Sequence, residues 1–129
     1  MPIKVLLADD NDGMRSAIRR TLQEEPRIEI VGEAANFAKT VQMIVDHKPD
    51  VLLFDLHLAE KRNFEPHIVK AQLAGVKNVV AVSFSNDDEA KNLAKSYGAS
   101  ALLDKMSLYH ELIPAIMHCS GNQKFSAST

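Results

Sequence analysis

A strict alternation restricts what this chain can fold into: five short apolar runs, each followed by a longer amphipathic stretch. The runs are Ile3 to Ala8, Ile28 to Gly32, Val51 to Phe54, Asn78 to Val82 and Ala101 to Leu103. Each has the length of a strand, and as a set they lack the polar alternation of half-exposed strands, so they are expected to be buried on both faces. Between them, Met14 to Glu25 carries Met14, Ala17, Ile18 and Leu22 at helical spacing and is closed by Pro26. Asn36 to His47 reads as a helix turning Phe37, Val41, Ile44 and Val45 inward, broken by Pro49-Asp50. A third helix is expected around Pro66 to Leu73. A fourth spans Asp87 to Tyr97, with Ser85 or Asn86 as its cap and Gly98 as its stop. A fifth runs from about Tyr109 to Cys119, with Pro114 expected to bend or delay it.

Five strand-helix units in alternation predict an α/β fold, a doubly wound open parallel sheet with helices on both faces. The length of 129 residues suits one domain, and 46% hydrophobic content supplies its core. We expect the domain to span residues 1–120, followed by a polar tail or linker start at residues 121–129. The net charge of -2 gives no nucleic-acid footprint. A single cysteine, Cys119, cannot form an internal disulfide and fits a reducing cytoplasm. The N-terminal apolar stretch is too short for a signal peptide, and no window reaches membrane-spanning length.

In such sheets ligands sit beyond the carboxyl ends of the strands. Here those ends carry Asp9-Asp10, Asp55, Ser83 and, just after the fifth run, Lys105. In the 2-1-3-4-5 order of flavodoxin-like sheets the first and third strands are neighbours, so three carboxylates meet in one shallow pocket. Three anions at that distance repel unless one is protonated or a cation joins them. An oxygen-only donor set favours magnesium over zinc. A carboxylate there can act as a nucleophile and become an acyl phosphate, with Lys105 and the Ser83 hydroxyl placed to meet phosphoryl oxygens.

Val5-Leu6-Leu7-Ala8-Asp9-Asp10, Asp50-Val51-Leu52-Leu53-Phe54-Asp55-Leu56, Val80-Ala81-Val82-Ser83 and Tyr97-Gly98-Ala99 with Lys105 resemble the receiver domains of bacterial response regulators. Gly32-Glu33-Ala34 and Glu111-Leu112-Ile113 are similar to the subgroup that often carries a C-terminal helix-turn-helix. The resemblance covers about residues 3 to 118. It implies that Asp55 takes a phosphoryl group from the phosphohistidine of a sensor histidine kinase. It implies magnesium bound by Asp10 and Asp55 directly, by Asp9 through water and by the backbone carbonyl of His57. Ser83 and Lys105 would relay the change to the face of the fourth helix, fifth strand and fifth helix, where an output domain, a partner protein or a second copy could dock. Such a receiver catalyses only its own phosphorylation and dephosphorylation. Leu102 stands where the family usually has an aromatic residue and Met106 where a cis proline often follows the lysine. The segment Leu58 to Phe64 lacks the usual Met-Pro and glycine.

Each residue alone has a plainer reading. Asp9-Asp10 could cap a helix, Ser83 could be a loop hydroxyl, and Lys105 a surface lysine; only their shared position outweighs this. Asp87-Asp88-Glu89 reads as helix capping. His47, His57, His67, His110 and His118 show no metal-ligand spacing and read as surface or rim residues. Met43, Met106 and Met117 read as packing, and Cys119 as a small buried or half-buried side chain, not a nucleophile. An aspartyl-phosphate phosphatase would want its two aspartates two apart, Asp-x-Asp, at one strand end; here the pair read at that end, Asp9-Asp10, is adjacent and the nucleophile sits on another strand. A degenerate receiver serving only as a binding module would have lost an acid or the lysine, and all are present.

Overall fold

The computed structural model describes residues 2–59 and 65–119. The predicted tail, residues 121–129, and most of the unusual segment after Leu58 lie outside the described residues. The element order is β1 (Ile3–Ala8), α1 (Asp12–Gln23), β2 (Ile28–Ala34), α2 (Phe37–His47), β3 (Val51–Asp55), α3 (Pro66–Leu73), β4 (Asn78–Ser83), α4 (Asp88–Ser96), β5 (Ala101–Asp104) and α5 (Leu108–Cys119). All strand pairs are parallel, in the order β2-β1-β3-β4-β5.

The apolar runs explain the layers. Side chains alternate across a strand, so a run apolar at every position feeds two cores. Leu6, Ala8, Leu52, Phe54, Val79 and Ala81 face α2, α3 and α4. Val5, Leu7, Val51, Leu53, Val80 and Val82 face α1 and α5. On the first face Phe54 is held edge-on between Phe37 and Tyr97, with ring centroids 6.1 and 6.0 Å away. Such pairs contribute about 0.5–1.5 kcal/mol each beyond the area they bury.

Three β-to-α turns carry side-chain caps. Asn11 accepts from the Met14 amide at 2.8 Å, Asn36 from Lys39 at 2.8 Å and Asp87 from Ala90 at 2.9 Å. Asp87, rather than Ser85 or Asn86, is therefore the cap of α4. The Ser85 amide is engaged by Ser83 Oγ instead. The end of α2 is made by Lys48, whose φ of 48° is left-handed, and Gly98 follows α4 at φ 85°.

Three packing expectations change. Val45 is 67% exposed, because α2 turns Phe37, Thr40 and Ile44 inward. Met106 is 78% exposed in the 3₁₀ turn Lys105–Ser107, while Met117 is buried and Met43 packs at the core edge. Pro114 does not delay α5, which already begins at Leu108 and carries the exposed proline within it. The five histidines are exposed and Cys119 is half-buried, as expected. Among the described residues no peptide bond is cis, so Lys105–Met106 is trans, and no helix is long and apolar enough to cross a membrane.

Candidate functional site

The strand order brings the carboxyl ends of β1 and β3 side by side. β1 ends at Ala8, paired with Phe54, so the next residues lie side by side: Asp9 just past β1 and Asp55 at the last position of β3. One carboxylate oxygen from each of Asp9, Asp10 and Asp55 lies within 4.8 Å of the others. Asp9 and Asp55 are buried and Asp10 is exposed. Burial of this kind requires fixed partners. Asp9 Oδ1 accepts from the Asn11 amide at 2.9 Å, and Asp55 Oδ1 accepts from the His57 amide at 3.2 Å.

Lys105 enters from the end of β5, with only 6% of its side chain exposed. Its Nζ lies 2.9 Å from Asp9 Oδ2 and 3.8 Å from Asp55 Oδ1. The contact to Asp9 is close but poorly aligned, leaving Oδ2 buried with an ionic partner and no hydrogen bond. Nζ also lies over the exposed ring of Phe84, 5.1 Å from its centroid. Ser83 is buried at the end of β4; its Oγ accepts from the Ser85 amide at 3.0 Å and lies 3.5 Å from His57 Nε2.

Burial raises the proton affinity of Asp55 above the ordinary carboxyl range. Lys105 opposes that rise, and the neighbouring Asp9 adds to it. The pocket thus concentrates more negative charge than Lys105 alone balances. An oxygen-only donor set with a buried, unbonded carboxylate oxygen fits a hard divalent cation such as magnesium.

All the residues singled out in the sequence, Asp9, Asp10, Asp55, His57, Ser83 and Lys105, lie at this one end of the sheet. Two participants were missed. Phe84 carries no polar atom to draw notice. Arg15 donates to the Asp9 carbonyl at 2.6 Å; its spacing four residues before Arg19 on the polar side of α1 was the available signal.

Comparison with known proteins bears directly on this arrangement. The family model described as the response regulator receiver domain matches residues 5–117. The chain belongs to this family. Among curated relatives, the transcriptional regulatory protein LiaR of Bacillus subtilis is 33% identical over 119 residues, covering 92% of this chain and 56% of LiaR. PdtaR of Mycobacterium tuberculosis is 33% identical over 118 residues, covering 90% of this chain and 56% of PdtaR. The chain therefore spans little more than half the length of these relatives. The fold matches the receiver domain of the putative response regulator NarL from M. tuberculosis at a TM-score of 0.81, 24% identity and coverage of 95% and 98%. It also matches the response regulator domain of Thermotoga maritima CheB at 0.79, 21% identity and coverage of 94% and 98%. The chain is thus a receiver domain of the two-component type, a phospho-accepting signalling switch. Receiver domains bind magnesium at an acidic pocket, and here three aspartates gather in one.

Proposed function

We propose that Asp55 is the phosphoryl acceptor of this receiver, with Asp9, Asp10, Asp55 and the His57 carbonyl holding magnesium. The observation that carries this reading is the Asp55 carboxylate itself. It is buried among two further aspartates, raised in proton affinity, and within 3.8 Å of a buried lysine. A carboxylate stripped of water and made more basic is a better nucleophile than an exposed one. An Asp55 oxygen forms the new bond to phosphorus as the phosphorus–nitrogen bond of the kinase phosphohistidine breaks, and the freed imidazole takes a proton from solvent. When bound, magnesium neutralises charge on the transferring group.

The protein's own groups do the rest. The His57 amide holds Asp55 Oδ1 in place. Lys105, now shared between Asp9 and Asp55, gains phosphoryl oxygens as stronger partners. Ser83 Oγ can turn from the Ser85 amide to a phosphoryl oxygen, drawing the start of the β4–α4 loop with it. The change then reaches α4, β5 and α5, the face we assign to an output domain, a partner or a second copy. In this reading the sensor histidine kinase is the upstream partner, the cytoplasm is the compartment, and the domain catalyses only its own phosphorylation and dephosphorylation. Relatives named as transcriptional regulatory proteins, each with nearly half its length beyond the matched part, support an output in the control of transcription.

The test is phosphoryl uptake from acetyl phosphate, followed by intact mass. The expected result is one base-labile phosphoryl group with magnesium and none with a chelator. Comparable base-labile uptake by Asp55→Asn would overturn the assignment.

A further inference from the structure

We infer that Arg15 is a positioning residue for the acidic pocket, locked in place by Glu33, so that this pair sets how tightly the pocket takes a divalent cation. The inference rests on the reading of Asp9 and Asp10 as cation-binding residues. Arg15 projects from the first turns of α1 with 16% of its side chain exposed. Its Nη1 donates to the backbone carbonyl of Asp9 at 2.6 Å, and its Nε to Glu33 Oε1 at 3.3 Å. Its Nη2 meets Asp12. The other Glu33 oxygen accepts from Arg19 Nη1 at 2.8 Å, so both oxygens of Glu33 are held by arginines of α1.

The bond to the Asp9 carbonyl has a specific geometric effect. That carbonyl belongs to the peptide plane leading into Asp10, so fixing it fixes the direction from which Asp10 leaves the chain. Asp9 is otherwise tied by its amide, which donates to the Ala34 carbonyl at 3.0 Å, and by Oδ1 on Asn11. Oδ2 alone has no hydrogen bond. Of the polar atoms of Asp9, the amide, the carbonyl and Oδ1 are thus held by hydrogen bonds, and Oδ2 is turned to Lys105.

This gives the Gly32-Glu33-Ala34 motif a physical role. A register shift between Val5 and Leu6 sets Glu33 opposite Leu7 and Ala34 opposite Ala8. Gly32 sits where a Cβ would come within 3.1 Å of Met43 Sδ and 3.3 Å of Leu6 Cδ1. A Cβ there would require the Met43 and Leu6 side chains next to Glu33's strand to give by a few tenths of an ångström.

The sign of the effect separates positioning from simple charge. A guanidinium near the pocket repels a cation, so its removal by charge alone would tighten magnesium binding. Loss of positioning weakens it, and partners behind metal ligands typically contribute about tenfold or more in affinity. The experiment titrates magnesium chloride into the full chain, followed by amide chemical shifts. It compares wild type with Arg15→Gln, Arg15→Lys, Glu33→Gln and Asp10→Ala, and measures exchange of the Asn11 amide without metal. The expected result is about tenfold weaker binding in Arg15→Gln, with faster Asn11 exchange. Glu33→Gln should shift affinity the same way by a smaller factor, and Arg15→Lys should restore it only in part, because a single ammonium cannot span both partners. Affinity in Arg15→Gln equal to or tighter than wild type overturns the inference. If Arg15→Gln does not fold, unchanged affinity in Glu33→Gln overturns it equally. If Asp10→Ala also binds magnesium unchanged, the metal-site reading itself fails.

Discussion

Replacing Lys105 by methionine isolates the charge at the centre of the site. Methionine keeps most of the apolar stem, so packing changes little. What it removes is the cation 2.9 Å from Asp9 Oδ2 and 3.8 Å from Asp55 Oδ1, with the Lys105 and Asp9 side chains only 6% and 4% exposed. Removing one partner of a buried pair costs about 3–5 kcal/mol, because the other charge stays behind without compensation. With an unfolding entropy of about 2.1 cal/mol/K per residue, that lowers Tm by roughly 11–18 °C for a chain of this size. The loss should depend on pH. Asp55 already has its proton affinity raised by burial, and Lys105 is the strongest influence holding it down. Without Lys105 the folded state binds that proton still more tightly than the unfolded chain does. Stability of the variant therefore rises as pH falls through the folded-state pKa, and the full penalty is present above it. Urea melts of both proteins at about pH 7.5 and about pH 5 should show the gap narrowing at the lower pH. Millimolar magnesium should narrow it at the higher one. A loss under about 1 kcal/mol at the higher pH would place the pair with ordinary surface ion pairs. A loss identical at both pH values would mean that packing, not charge, was removed. Either result refutes the reasoning.

Three further outcomes are expected. Asp10→Ala relieves repulsion among three crowded carboxylates, so the metal-free variant should melt higher than wild type and gain nothing from magnesium, as thermal melts with and without the ion would show. Leu102 is half-buried and packs against the core beside α4 without a polar group. Beryllofluoride should therefore shift amides of β5 and α5 less in wild type than in Leu102→Tyr, and large, equal shifts in both proteins would remove any special role for this leucine. Gly98→Ala places a side chain at φ 85° and should cost about 1 kcal/mol or more in urea melts.

The layers of this fold were legible because the central strands β1, β3 and β4, buried on both faces, must be apolar at successive positions; the expectation of full burial fails for β2 and β5, which lie at the sheet edges and are mostly half-buried. Asp55 could be placed beside Asp9 without coordinates, since parallel neighbours β1 and β3 release their C-terminal residues at one edge. Helix faces were harder to read. Val45 looked inward on spacing alone, but the polar Thr40 takes a fully buried position on α2, its hydroxyl donating to the Asn36 carbonyl at 2.8 Å. A hydroxyl satisfied by its own helix backbone can be buried cheaply, and no periodicity of apolar residues reveals this. The cap of α4 was misplaced because the helix begins at Asp88, one residue later than the pattern indicates, which puts Asp87 itself at the cap. Phe84 over Lys105 and Arg15 on the Asp9 carbonyl depend on side-chain direction and on a bulged register, neither of which a linear pattern encodes.

The most direct measurement of the central claim locates the phosphoryl group on a residue. The protein is loaded from acetyl phosphate with magnesium and reduced with borohydride, which converts an aspartyl phosphate to homoserine and leaves free carboxylates untouched. Peptide mass mapping then reads where the aspartate was lost. The expected result is homoserine at position 55 alone, absent when magnesium is chelated. Homoserine at position 9 or 10, or a phosphoryl group that survives base and escapes reduction, would contradict it.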